Sequence, residues 1–120
     1  MKKTFLSLLG DYFETYLSSV RKASSNTISA YDYAFALFFE FLYEEKNLSH
    51  TKISYKHLTQ ALFDDFIFWM NTNRNYAASS IRQRMTAITS FLKYASARNM
   101  NVLKAYSAVL DAELPKVPQE

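Results

Sequence analysis

Apolar side chains recur at three- and four-residue steps from Phe5 onward, through Leu8, Leu9, Tyr12, Phe13, Tyr16, Leu17 and Val20. That is the period of an amphipathic helix, and it predicts a first helix from about Thr4 to Arg21. Gly10 weakens this helix by roughly 1 kcal/mol relative to alanine without ending it. The polar run Lys22-Ala23-Ser24-Ser25-Asn26 reads as a joint, with Ser24 able to cap a second helix. This second helix should reach about Lys46, with Ile28, Tyr31, Phe35, Phe38, Phe41 and Leu42 on its inner face. Its centre is almost wholly apolar, which makes it the expected middle of the core. Asn47 to Lys56 breaks the period and reads as a loop. A third helix starts at His57 or Thr59 and runs through Leu62, Phe63, Phe66, Ile67, Trp69 and Met70, with Asp64 and Asp65 on its outer face. The turn-rich residues Asn71 to Asn75 lead to a fourth helix. It begins around Ala78 to Ser80, turns Ile81, Met85, Ile88, Leu92 and Ala95 inward, and stops before Asn99. A short fifth helix is predicted over roughly Val102 to Ala112, before the proline-stiffened tail Leu114-Pro115-Lys116-Val117-Pro118.

Composition sharpens this into an all-α fold, a compact bundle of four to five helices. Between Asp11 and Leu114 there is neither glycine nor proline, so helices with short polar joints are favoured. A chain of 120 residues that is 49% hydrophobic suffices for one domain with one core. Residues 1–113 are assigned to the helical domain and 114–120 to the start of a linker. Cysteine is absent, which removes disulfides and thiolate chemistry and fits a reducing, cytoplasmic setting. No apolar run is long enough to span a membrane.

The charge matters through its distribution. From Phe66 to Leu110 the chain carries six basic residues, Arg74, Arg82, Arg84, Lys93, Arg98 and Lys104, and no Asp or Glu. Residues 1–65 hold seven basic and eight acidic residues, so the one-signed half points to a polyanionic partner. Enzyme constellations do not emerge. His50 and His57 have no carboxylate at ligand spacing, so neither a metal site nor a cofactor is expected. The pairs Glu44-Glu45 and Asp64-Asp65 point different ways around their helices and read as solubilising patches. The fourth helix differs from the rest. With its apolar stripe turned inward, Arg82, Gln83, Thr86, Ser90 and Lys93 fall on outward or flanking positions, and Arg84 borders the stripe. Guanidinium, amide, hydroxyl and ammonium groups without an acid are the set that meets phosphates and base edges. The start of the second helix, Ser24 to Thr27, offers hydroxyls and free backbone N–H groups of the kind that hold a phosphate.

Two of these segments carry a family likeness. Ser24-Ser25-Asn26-Thr27-Ile28-Ser29-Ala30-Tyr31, followed by Phe35, Phe38 and Phe41-Leu42, resembles the opening of the second helix of the N-terminal, SAM-like core-binding domain of phage integrases and related tyrosine recombinases. Ser79-Ser80-Ile81-Arg82-Gln83-Arg84-Met85-Thr86-Ala87-Ile88-Thr89-Ser90-Phe91-Leu92-Lys93-Tyr94 is similar to a later helix of that domain, and the Leu114 to Pro118 tail to its linker. The resemblance implies half of a C-shaped clamp, with the second and fourth helices toward the major groove of double-stranded DNA. By position, Thr27 and Tyr31 would belong to the groove-side start of the second helix. Ser79, Ser80, Arg82, Gln83, Arg84, Thr86, Ser90 and Lys93 would contribute from the fourth. The family's catalytic residues lie in a following domain and nothing here matches them, so this chain is expected not to cleave DNA. Its partners would be duplex DNA, the catalytic domain of the same parent chain and other recombinase protomers. The family often has serine where Ala77 stands, which leaves Ser79 or Ser80 to cap the fourth helix. Asp32, beside Tyr31, would repel a phosphate. A different reading, an all-helical protein-interaction module, rests on the aromatic surplus at Phe39, Tyr43, Phe68 and Tyr94.

Overall fold

In the computed structural model, residues 4–116 are described, and they form helices and turns with no strand among them. The first helix, α1 (Phe5–Asp11), is capped by Thr4, whose hydroxyl accepts the Ser7 N–H at 3.1 Å. Beyond Gly10 the winding loosens, and Tyr12–Val20 forms a π-helix, closed by the Arg21 N–H donating to the Tyr16 carbonyl at 2.8 Å. The extra residue per turn corrects the expected inner face, because it carries Val20 out of the core to 66% exposure while Leu17 stays fully buried. Lys22, at φ 51°, turns the chain into the next helix.

Helix α2 (Ser25–Lys46) has the boundaries that its pattern predicts. The Ser24 hydroxyl accepts the Thr27 N–H at 3.1 Å, and Asn47, in the left-handed region at φ 52°, ends the helix. The Leu48 N–H returns to the Leu42 carbonyl at 3.0 Å, which the Asn47 N–H also reaches, so the left-handed residue folds the chain back over the last turn. The expected loop holds two 3-10 turns, His50–Lys52 and Tyr55–His57. His57 therefore precedes the third helix, α3 (Gln60–Thr72), whose cap is Thr59, accepting the Leu62 N–H at 3.2 Å. The His57 ring closes its own turn, its Nδ1 accepting the Ser54 N–H at 3.0 Å. Helix α4 (Ala78–Ser96) starts after Ala77, which has extended cap geometry and no side-chain hydrogen bond to give. Neither Ser79 nor Ser80 caps it, contrary to expectation, because both lie inside the first turn. A 3-10 turn, Met100–Val102, leads into α5 (Leu103–Asp111).

Helix α2 packs chiefly on α4, with α3 and α5 closing the bundle on the other sides. The core divides into two aromatic groups that share α2. One sets Phe38 and Phe41 against Phe63, Phe66 and Trp69 of α3, with the Phe38 and Phe66 centroids 5.0 Å apart. The other gathers Phe5, Tyr12, Phe35, Phe91 and Tyr94, with Phe5 and Phe91 at 5.5 Å. Phe39 and Tyr94, read from sequence as surface aromatics, pack partly buried against this core, whereas Tyr43 and Phe68 stand in solvent. No helix of the described residues is long and apolar enough to cross a membrane.

Candidate nucleic-acid interface

Packing α2 against α4 leaves a cleft of about 370 Å³ between the first turns of α2 and the first half of α4. Asn26, Thr27, Ala30 and Tyr31 line it from α2, and Gln83, Arg84 and Thr86 from α4. Five residues singled out from sequence therefore converge from segments more than fifty positions apart. Ala30 was not foreseen, and Asn26 only as part of the Ser24 to Thr27 helix start. Asp32 is exposed and does not line the cleft. Helical spacing places it on the side of α2 away from Thr27 and Ala30, so its charge is turned from the groove.

The polar groups in the cleft differ in what they have left to offer. Ser24 Oγ donates to Thr27 Oγ1 at 3.0 Å, which leaves the Thr27 proton for an acceptor outside the chain. Thr86 has spent its proton on the Arg82 carbonyl at 2.8 Å and presents a methyl group and lone pairs. Gln83 is exposed and its side chain makes no hydrogen bond with another described residue. The Arg84 guanidinium lies over two rings, 4.7 Å from the Tyr33 centroid and 5.5 Å from that of Tyr76. The two phenols are joined by a 2.8 Å hydrogen bond, which raises the Tyr33 pKa above its ordinary value, with burial and the neighbouring Tyr76 charge adding to the shift. Sequence periodicity left the direction of Arg84 open, and neither tyrosine was singled out. Their only signal was an aromatic residue off the apolar stripe.

The remaining candidates lie around this cleft. Ser79 is exposed and Ser80 half-buried at the start of α4. Arg82 is exposed and donates to the Pro115 carbonyl at 2.9 Å, which ties the C-terminal segment to α4. Lys93, together with Thr86 and Ser90, borders a second groove formed with Leu110 and Leu114. Ser90 is drawn inward, its hydroxyl bonded to the Tyr12 hydroxyl at 2.7 Å. Among the described residues, Arg82, Arg84 and Lys93 have no carboxylate partner, but Arg74 does. It pairs with Glu40 and, at 3.7 Å, with Glu44, and lies 4.7 Å from the Trp69 ring. The hydrogen bond it donates to Glu40 holds the Arg74 pKa above its usual value. No group of three or more His, Asp or Glu is placed to hold a metal ion among the described residues. The tail residues Val117 and Pro118, part of the expected linker, lie outside the described residues.

Residues 11–99 match the family model of the phage integrase N-terminal SAM-like domain. Neither the comparison with curated proteins nor that with solved structures returns a significant match.

Proposed function

Because the chain belongs to the family of phage-integrase N-terminal SAM-like domains, we propose that it is the DNA-binding module of a site-specific tyrosine recombinase. It clamps duplex DNA near the strand-exchange site and leaves the cutting chemistry to a catalytic domain of the same parent protein. The observation that carries the reading is the convergence of Thr27, Tyr31, Gln83 and Arg84 in one cleft beside Arg82 and Lys93, cations with no carboxylate partner among the described residues. Phosphates attract such unneutralised guanidinium and ammonium groups, and the amide and hydroxyls in the cleft are suited to base edges or sugar–phosphate oxygens. Other protomers assembled on the same DNA would be further partners.

The test is duplex binding measured by fluorescence anisotropy over a range of salt concentrations. With four or five phosphates contacted, log affinity should fall against log salt with a slope of about −4. Affinity is expected to be micromolar or weaker at physiological salt, because the other half of the clamp contributes through effective concentration. A flat salt response would remove the reading. It would favour instead a protein-interaction module, for which the specific observation is Phe68, 68% exposed on the outer face of α3.

A further inference from the structure

Three arginines of this chain lie against aromatic rings, and the differences between them are informative. Arg74 stacks near Trp69 but is neutralised by Glu40 and Glu44. Arg98 stacks on Tyr94 at 3.7 Å and gives an N–H to the Tyr94 carbonyl at 3.0 Å, which closes the end of α4. Arg84 is stacked on Tyr33 and Tyr76 yet has no acceptor from any described residue. Its Nε is buried without a hydrogen-bond partner, so only the two terminal nitrogens remain for a ligand. Holding a guanidinium over two rings while leaving its terminal N–H groups unmatched gains little for folding alone. It makes sense for a group kept ready for an anion.

Two distant parts of the chain build the holder. Tyr33 comes from α2, and Tyr76 from the short connector between α3 and α4. Asn75, at φ 57°, reverses the chain there, and the Tyr76 N–H donates to the Met70 carbonyl at 3.1 Å, which fixes where the ring stands. The 2.8 Å bond between the phenols then locks the two rings to each other. We propose that Tyr33 and Tyr76 are positioning residues for Arg84, presenting its terminal nitrogens to one phosphate of the DNA backbone along the α2–α4 cleft. This inference rests on the DNA-binding reading above and assigns a division of labour within it. Arg84 anchors the backbone in any sequence, while Gln83 next to it is free to read a base. A long side chain already held in its bound orientation loses little rotamer freedom on binding.

The experiment uses the full chain and two duplexes, one of A·T pairs only and one containing G·C pairs, with affinity measured across salt and thermal melts recorded by circular dichroism. Arg84→Ala should weaken both duplexes equally, by about tenfold, as loss of one charge-assisted contact implies, and flatten the salt slope by about 0.9. Arg84→Lys should restore the slope but not the affinity, since an ammonium has neither the planar fork that pairs with a phosphate nor a face to stack on the rings. Tyr76→Leu should keep the wild-type slope and lose affinity, whereas Tyr76→Phe, which retains the ring, should lose much less. If Arg84→Ala does not stay folded, Arg84→Lys and the Tyr76 pair carry the same test. Wild-type slope and affinity in Arg84→Ala, with only the melting temperature lowered, would mean that the stack is a structural staple, and the proposal fails. Loss confined to the G·C-containing duplex would assign Arg84 to a guanine edge and also overturn it. Absence of salt-dependent binding by the wild-type chain is a separate outcome, which defeats the DNA reading and this inference with it.

Discussion

Single side chains account for the sharpest energetic statements about this domain. Tyr55 sits against Phe5, with ring centroids 5.6 Å apart, and its hydroxyl is buried without a partner. Burial pushes the Tyr55 pKa well above the ordinary tyrosine range, and burial likewise raises that of Tyr12, opposed by its hydrogen bond with Ser90. A folded pKa above the unfolded one means that the folded state keeps its proton when the unfolded chain would release it. The stability contributed by both tyrosines is therefore held in full below the ordinary value of 10.0 and lost as pH rises from there through the folded values. Tyr55→Phe removes a hydroxyl that satisfies nothing and keeps the ring. We expect it to stabilise the domain by about 1 kcal/mol in urea unfolding at neutral pH, and to move the onset of alkaline unfolding upward. A loss of stability would mean that the hydroxyl has an acceptor, such as an ordered water, that compensates its burial.

At the level of whole helices, stability and legibility meet in the caps. Helix α4 carries most of the candidate interface, yet Ala77, with φ −68° and ψ 157°, occupies its cap position and leaves the first turn without a side-chain acceptor. Ala77→Ser should supply that acceptor and raise stability by about 1 kcal/mol, with the melting temperature as the measure; an unchanged melting temperature would show that the first turn is already satisfied by water. The same contrast explains which boundaries could be read from residues alone. Helix α2 was legible at both ends because Ser24 and Asn47 are local signals, a hydroxyl cap and a residue tolerant of left-handed backbone. The π-winding of Tyr12–Val20 was not, because a π-turn and an α-turn differ by one residue and nothing in YFETYLSSV favours either. The choice is coupled to tertiary contacts that local sequence does not contain, such as Tyr12 reaching Ser90 and Tyr16 meeting Tyr94 at 4.7 Å. The start of α4 falls at Ala78, within the expected range, but its cap was misassigned for a related reason. Serines 79 and 80 are good caps in isolation, but the chain entering from Asn75 and Tyr76 puts Ala77 in the cap position.

Across the whole molecule, charge is sorted by helix packing rather than by position along the chain. Counting residues grouped Arg74 with the cations of α4, but the fold lays it across Glu40 and Glu44 of α2, where it is neutralised. Such pairs join helices far apart in sequence and are invisible to a linear tally. The outward positions of α4, by contrast, followed from the helical period, although which residues of α2 would face them depended on the packing of the two helices. Lys46 is likewise paired, with Asp65 at 2.6 Å, whereas Arg82, Arg84 and Lys93 of α4 have no carboxylate partner among the described residues. A sorted surface of this kind makes substitutions separable by effect. Arg82→Ala and Lys93→Ala should each weaken duplex binding and flatten the salt slope by about 0.9, with helical content unchanged, because neither side chain holds a carboxylate in the fold. Arg74→Ala should do the reverse, lowering the melting temperature through loss of its ion pairs and its stack on Trp69 while leaving the slope at its wild-type value. If Arg74→Ala alters the slope as much as Lys93→Ala does, the DNA-facing surface extends over the α2–α3 side and the assignment of the interface to α4 is wrong. If Arg82→Ala and Lys93→Ala both leave binding intact, the outer face of α4 that carries them is not in contact with DNA.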